Sequence, residues 1–220
     1  MCAQFTITFS LAALVELLGI HAADSIKVSL PERVLPYREG PIVREHDGVI
    51  ELEMMQFSLV PAWSTTPRVK FATHNARFET ITEKPTWRGP LAKSRAIVPL
   101  SGFIEPIYSG AYAGSMIEFR EQDNQILLAA ALYDTWRDTR TEKAIHSFAI
   151  ITGEPSDFVR EMGHDRQPIF LEREQAVQWL GSKDSSVENS LSVLMMARKN
   201  IALSLKVDRP LKSGWEKRRA

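Results

Sequence analysis

Arg95-Ala96-Ile97-Val98-Pro99-Leu100-Ser101-Gly102-Phe103-Ile104-Glu105 is the stretch on which the reading of the fold turns. Its β-branched and aromatic residues read as a strand, broken at Pro99 and kinked at Gly102. It ends on a carboxylate, Glu105, a group expensive to bury unless it is paired. Outward from it, Ser115 to Arg120 and Gln125 to Trp136 are further strand candidates, joined by the turn-like Gln122-Asp123-Asn124. The alanines of the second would also suit a helix, and its company of strands decides for strand. Ser147 to Thr152 is a short buried strand by its β-branched run. Upstream, Val49 to Val60 reads as a strand that Pro61 breaks. Ser25 to Pro41, with Pro31, Pro36 and Pro41, reads as extended chain or loop, and Trp63 to Lys70 as a loop. Downstream, Pro155 to Met162 reads as a short helix, Ile169 to Leu171 as a strand fragment, and Glu172 to Gly181 as a helix burying Ala176, Trp179 and Leu180. The remainder is polar or basic, and the stretch from about Lys212 carries no sign of whether it is ordered. No repeat, low-complexity segment or linker divides residues 1–220, so one mixed domain of helices and strands is expected.

The totals narrow the function. The chain has 220 residues, 44% hydrophobic and 25% charged, the balance of an ordinary globular protein. Lys plus Arg and Asp plus Glu both number 27, which argues against coating nucleic acid through bulk charge but leaves room for a local basic groove. A single cysteine permits no internal disulfide, and no Cys/His cluster has zinc spacing. A cytoplasmic location with no metal and no cofactor is expected. Phe9 to Ala23 is apolar enough to resemble a signal-peptide core, but no Lys or Arg precedes it and Glu16 interrupts it. It is too short to span a bilayer. Ser10 can instead cap a helix with Leu11, Leu14, Val15 and Leu18 on one face and Gly19 at its end.

The one cysteine is Cys2. Its side chain is small enough for the initiator methionine to be removed, and that step would leave an α-amine and a thiol on adjacent carbons. Their ordinary pKa values, about 8 and about 8.5, leave both with a reactive fraction near neutrality. The amine can attack an aldehyde, and the thiol can then close a five-membered ring. Asn75 and Arg77 lie in a polar stretch after a turn, Glu105 ends its apolar strand, and His164 lies in the loop Met162-Gly163-His164-Asp165-Arg166-Gln167-Pro168. Singly, each has a bland alternative: a small apolar cysteine, a turn asparagine, a strand-end carboxylate, a loop histidine.

Taken in order, the segments resemble the SOS response-associated peptidase (SRAP) family from Cys2 to about Leu171. The likeness is carried by the Met-Cys start, Leu59-Val60-Pro61-Ala62-Trp63, Asn75-Ala76-Arg77-Phe78-Glu79-Thr80, Lys84-Pro85-Thr86-Trp87-Arg88, Arg95 with Ile97 to Glu105, and His164-Asp165-Arg166-Gln167-Pro168. The resemblance implies an α+β fold around a curved, barrel-like antiparallel sheet with peripheral helices. It implies a monomer, away from membranes, that binds single-stranded DNA or a single-strand/double-strand junction bearing an abasic site. Cys2 would capture the aldehyde as a thiazolidine, by lyase-like Schiff-base chemistry, with peptidase activity confined to removal of Met1. Glu105 and His164 would be the acid/base pair, and Asn75 would position the cysteine or the sugar. Arg77 and Arg88 would meet phosphates, with Trp63 near the displaced base or junction. The chain departs from the family's usual pattern at Ala3-Gln4, Phe78, Ala96, Pro106 and Gln167, which touches DNA affinity more than chemistry. Two other functions compete: a hydrolase with Cys2 as N-terminal nucleophile, and a non-covalent DNA-binding module using Arg77, Arg88 and Trp63.

The thiazolidine nitrogen is the cysteine α-amine, so acetylating it with minimal bulk should leave DNA binding intact and abolish the durable adduct on a denaturing gel. An undiminished rate from N-acetylated protein would remove the amine from the reaction.

Overall fold

The computed structural model describes residues 2–20, 28–181, 186–197 and 201–218. In chain order the elements are β1 (Gln4–Thr6), α1 (Leu11–Leu18), β2 (Arg33–Val34), β3 (Glu39–His46), β4 (Val49–Phe57), β5 (Asn75–Arg77), α2 (Pro85–Lys93), β6 (Arg95–Leu100), β7 (Gly102–Ile107), β8 (Ser115–Glu121), β9 (Leu127–Arg137) and β10 (Ala144–Gly153). They continue with α3 (Asp157–Glu161), β11 (Gln167–Pro168), β12 (Phe170–Leu171), α4 (Arg173–Leu180), α5 (Val187–Met195) and β13 (Leu203–Pro210).

Residues 95–105 are not one kinked strand but two strands in two sheets. β6 belongs to an eight-stranded sheet and β7 to a five-stranded one ordered β13-β8-β7-β1-β2. Ser101 makes the passage: its N–H donates to the Thr6 carbonyl at 2.8 Å, and its Oγ accepts the Thr8 N–H at 2.9 Å. Within the larger sheet the pairings β10–β4, β4–β3, β3–β6, β6–β9 and β9–β10 form a closed ring, so the expected barrel-like sheet is present. Four of these pairings are antiparallel, and the closing β10–β4 contact is parallel.

Alternation along the strands divides the apolar residues between two clusters. From β6, Ala96, Val98 and Leu100 join the Phe5, Phe57, Phe103, Phe119 and Phe148 cluster between the sheets. Ile97 faces the helices, with Leu14, Trp87, Trp179 and Leu194. β9 divides in the same way, Ala129 and Ala131 inward and Leu128, Ala130 and Leu132 toward the helices. Both of its faces are buried, which is why its sequence suited a helix equally well. α1 forms as its sequence requires: the Ser10 hydroxyl accepts from the Ala13 N–H, and Gly19 closes it at φ 62°. In α4, Ala176, Trp179 and Leu180 are the buried residues, and Glu172 and Gln175 form a capping box.

The reading of residues 25–41 as extended chain or loop resolves into the short strand β2 at 33–34, a turn over 35–38 and the start of β3 at Glu39, while its first residues, 25–27, lie outside the described chain. β3 begins at Glu39 and runs through Pro41, which stands opposite Met54 of β4. Pro41 precedes the Val43–Arg44 pairing to β6, so its missing N–H costs no bond on that side. The polar remainder holds α5 and β13, and Trp215 beyond them packs beside Gly114 and the Tyr108 ring.

Thr6 Oγ donates to Glu118 Oε1 at 2.6 Å across the intervening strand β7, and only Gly102 lets them meet. A Cβ at Gly102 would lie 2.8 Å from the Phe119 carbonyl oxygen and 3.2 Å from both Glu118 Oε1 and Thr6 Oγ1. Gly102→Ala should therefore destabilise by about 1–3 kcal/mol in denaturant unfolding. Gly89→Ala, in open space within α2, should instead stabilise by up to about 1 kcal/mol.

Candidate active site

Strand alternation turns Glu105 inward. Phe103 and Ile107, two residues either side on β7, belong to the inter-sheet cluster, and Cys2 lies in the same cluster at the head of β1. Both Cys2 and Glu105 have no exposed surface. The Ala3 N–H donates to the Ile104 carbonyl, extending the β1–β7 pairing to the residue after Cys2.

The other two groups arrive along β10. Thr152 pairs with Arg77 of β5 on one edge and with Pro168 of β11 on the other. One strand thereby fixes the Asn75 segment and the loop carrying His164 on its two sides. Asn75 Nδ2 donates to the Cys2 carbonyl at 3.0 Å. Its Oδ1 is buried with no hydrogen-bond partner among the described residues. His164 Nε2 lies 3.5 Å from Glu105 Oε2, with the imidazole side chain only 5% exposed. The four residues singled out in the sequence thus meet in one place, although 162 positions separate the first from the last.

Burial sets the protonation states here. It pushes the Glu105 carboxyl above the usual carboxylate range, against the pull of the positive amino terminus and His164. It also pushes the Cys2 thiol well above its usual value, and the Glu105 charge adds to that rise. Burial thus works against charge on both the Glu105 carboxyl and the Cys2 thiol. Among the described residues no group of three His, Cys, Asp or Glu side chains could hold a metal ion.

A groove of about 570 Å³ opens at Asn75, lined also by Phe71, Arg77, Lys84 and Trp87. Arg77 and Lys84 supply positive charge, and Phe71 is 50% exposed. Trp63 and Arg88 are exposed too but do not line this groove. Sequence reasoning passed over Phe71 and Lys84. The alternation Arg68-Val69-Lys70-Phe71 in a polar loop was the available signal, since cations interleaved with apolar groups suit a nucleic-acid strand.

A curved two-sheet α+β fold with a buried cysteine at position 2, an asparagine and a Glu/His pair gathered beside it defines a class of protein built around its first residues. The chain belongs to the SOS response associated peptidase (SRAP) family, whose sequence profile matches residues 1–211. It is 31% identical over 144 residues to the abasic site processing protein YoaM of Bacillus subtilis, covering 66% of this chain and 63% of YoaM. It is 30% identical over 170 residues to the abasic site processing protein HMCES of Rattus norvegicus, covering 64% of this chain and 48% of HMCES. The chain thus spans less than two thirds of these relatives. A crystal structure of a Bacteroides thetaiotaomicron protein superposes with TM-score 0.76 at 25% identity, over 94% of this chain and 92% of that one. A Bordetella bronchiseptica structure shares the fold with TM-score 0.77 at 19% identity, over 94% of this chain and all (100%) of that one.

His74, beside Asn75, packs its ring against Phe57 at 5.8 Å, and burial followed by the positive amino terminus lowers its pKa from 6.5 to about 4. A histidine held neutral binds fewer protons folded than unfolded between those values. Its stabilising contribution is complete above pH 6.5 and is lost as pH falls toward 4. Denaturant unfolding of parent and His74→Phe at pH 7 and pH 4 should differ in pH dependence by at most about 3 kcal/mol, with the parent the more acid-sensitive.

Proposed function

We propose that the protein captures abasic sites in single-stranded or junction DNA as a thiazolidine through Cys2, once Met1 is gone. The observation that carries this is Asn75 Nδ2 holding the Cys2 carbonyl beside the buried Glu105–His164 pair. The relatives named as abasic site processing proteins support the substrate class. The α-amine adds to the aldehyde carbon of the ring-opened sugar. Glu105 gives its proton to the departing carbinolamine hydroxyl, which leaves as water, and the N–H proton of the resulting protonated imine returns to the Glu105 carboxylate to give the imine. The Cys2 sulfur then adds to the imine carbon while its proton passes to the ring nitrogen. Aldehyde and aminothiol thus become thiazolidine and water. A thiol held protonated suits this order, with amine first and sulfur second, and does not suit a hydrolase that needs a thiolate at the outset. The groove at Asn75 would carry the strand, with Arg77 and Lys84 on phosphates and Phe71 against an unpaired base.

Incubation with a single-stranded oligonucleotide carrying one abasic site should give an adduct stable on a denaturing gel, and intact DNA of the same sequence should give none. Cys2→Ala keeps an amine but no thiol, so only a labile imine trapped by borohydride is expected. A durable adduct from Cys2→Ala without reductant would eliminate the thiazolidine.

Glu105→Gln keeps the shape and removes the proton donor, which should slow adduct formation by about 100-fold or more at saturating DNA. Parental rates in that variant would take the acid role away from Glu105.

A further inference from the structure

Arg166 follows the His164 loop into β11 and touches none of the atoms proposed to react. Its guanidinium staples the loop to two neighbours. Nε donates to Thr152 Oγ1 at 3.3 Å, and Nη2 donates to the Thr152 carbonyl at 2.8 Å and to Glu79 Oε2 at 2.7 Å. Burial alone would raise the Glu79 carboxyl, but the Arg166 hydrogen bond and the charges of Arg166 and Arg77 outweigh it and keep the carboxyl low. The ion pair is therefore formed throughout the neutral range.

The backbone of the same residue offers His164 two alternatives. The Arg166 carbonyl oxygen lies 2.7 Å from Nδ1, and the Arg166 N–H lies 3.3 Å from that same nitrogen. The first contact requires a proton on Nδ1, because a carbonyl has none to give. The second would be satisfied only by a bare Nδ1. The shorter contact decides, since a bare nitrogen 2.7 Å from a carbonyl oxygen would set two lone pairs against each other. A neutral imidazole with Nδ1 protonated has Nε2 bare, and Nε2 is the atom 3.5 Å from Glu105 Oε2. Nε2 then turns a lone pair, not an N–H, toward Glu105 across 3.5 Å. The opposite tautomer would turn an N–H toward Glu105 and favour the carboxylate, which cannot donate. A change of a few tenths of an ångström in where Arg166 places its carbonyl and its N–H separates the two.

We propose that the Arg166 guanidinium, stapled to Thr152 and Glu79, is a positioning group that holds the Arg166 carbonyl on His164 Nδ1 and so selects the tautomer that lets Glu105 keep its proton. Its link to rate rests on the proposed acid role of Glu105. Among the charged and titratable groups acting on Glu105 are the amino terminus, His164 and Asp165, and the Glu105 charge acts in turn on the Cys2 thiol. Arg166 reaches the imidazole directly, through its backbone carbonyl and N–H on His164 Nδ1.

Nitrogen-15 spectra of protein labelled at histidine, with His164→Gln for assignment, read the tautomer in free protein. The parent should show His164 protonated on Nδ1, and Arg166→Gln should shift population to the Nε2 form. In that variant the single-turnover adduct rate at saturating abasic oligonucleotide should fall at least about tenfold, part of the roughly 100-fold a general acid supplies, with a displaced pH profile. Arg166→Lys, which keeps a cation beside Glu79, should lie between. Glu79→Gln loosens the staple from its exposed end and should give a smaller shift of the same sign, which serves if Arg166→Gln does not fold. A parent protonated on Nε2, or a folded Arg166→Gln with an unchanged tautomer, overturns the positioning role. So does a loss confined to limiting DNA, which would make Arg166 a phosphate ligand. A tautomer that responds as expected in a protein that forms no adduct leaves the positioning role standing and removes the functional reading instead.

Discussion

A carboxyl group in an apolar row is the constraint on which the rest of the site depends. Glu105 stands between Phe103 and Ile107 with no exposed surface. A lone carboxylate there would cost several kcal/mol, so the group must hold its proton or be surrounded by compensating charge and hydrogen bonds. Both conditions shape the site. The inter-sheet phenylalanines surround the carboxyl with apolar groups and raise its pKa by burial, while the charge of the amino terminus and His164 pulls the other way. The same burial pushes the Cys2 thiol well above its usual value, so both groups resist ionisation in this place.

Bringing those directions together is the work of β10. Its early part pairs with the end of β4 at Ser147 and Phe148, and its later part with β5 on the same edge from Ile150. The chain between β4 and β5 therefore leaves the sheet at Ser58, whose φ of 109° marks the break, and returns at Asn75. That excursion carries Trp63, Arg68 and Phe71 into solvent while its two ends stay in the barrel. Arg68 lies over the Tyr37 ring at 4.3 Å, which ties the excursion to the β2–β3 turn. A strand with an exposed surface loop inserted beside it is a common way to place contacts next to a fixed site.

The departures from the family's usual pattern have visible partners. Gln4 receives a 3.5 Å contact from Arg33 Nη1, which places a cation beside it. Arg33 in turn grips Asp208, the residue at the irregularity between Val207 and Arg209 of β13. β2 and β13 are the two edges of the five-stranded sheet, and this ion pair across them curls the sheet around its polar face. Gln167 accepts the Ser156 N–H at 2.9 Å and so helps begin α3. Phe78 lines a separate cavity of about 320 Å³ with Pro168 and Leu194, away from the groove at Asn75.

Local chemistry made much of the chain legible. Ser10 and Gly19 mark the ends of α1, Ser156 caps α3, and the apolar residues of α4 are the buried ones, because caps and helical periodicity act over a few residues. Strands β3 and β13 were not legible. One carries Pro41 and the other has only Leu203 buried, so neither shows the period that a buried face imposes. The same limit applies to the site. The sequence by itself determined which residues have reactive groups: one cysteine at position 2, a carboxylate ending an apolar run, an asparagine and a histidine in polar turns. Only the tertiary structure decided that Asn75 holds the Cys2 carbonyl, that Glu105 faces His164, and that the passage at Ser101 divides one apparent strand between two sheets. Those outcomes depend on strand pairings between residues far apart in the chain, and on the burial such pairings create, which no short stretch of sequence encodes.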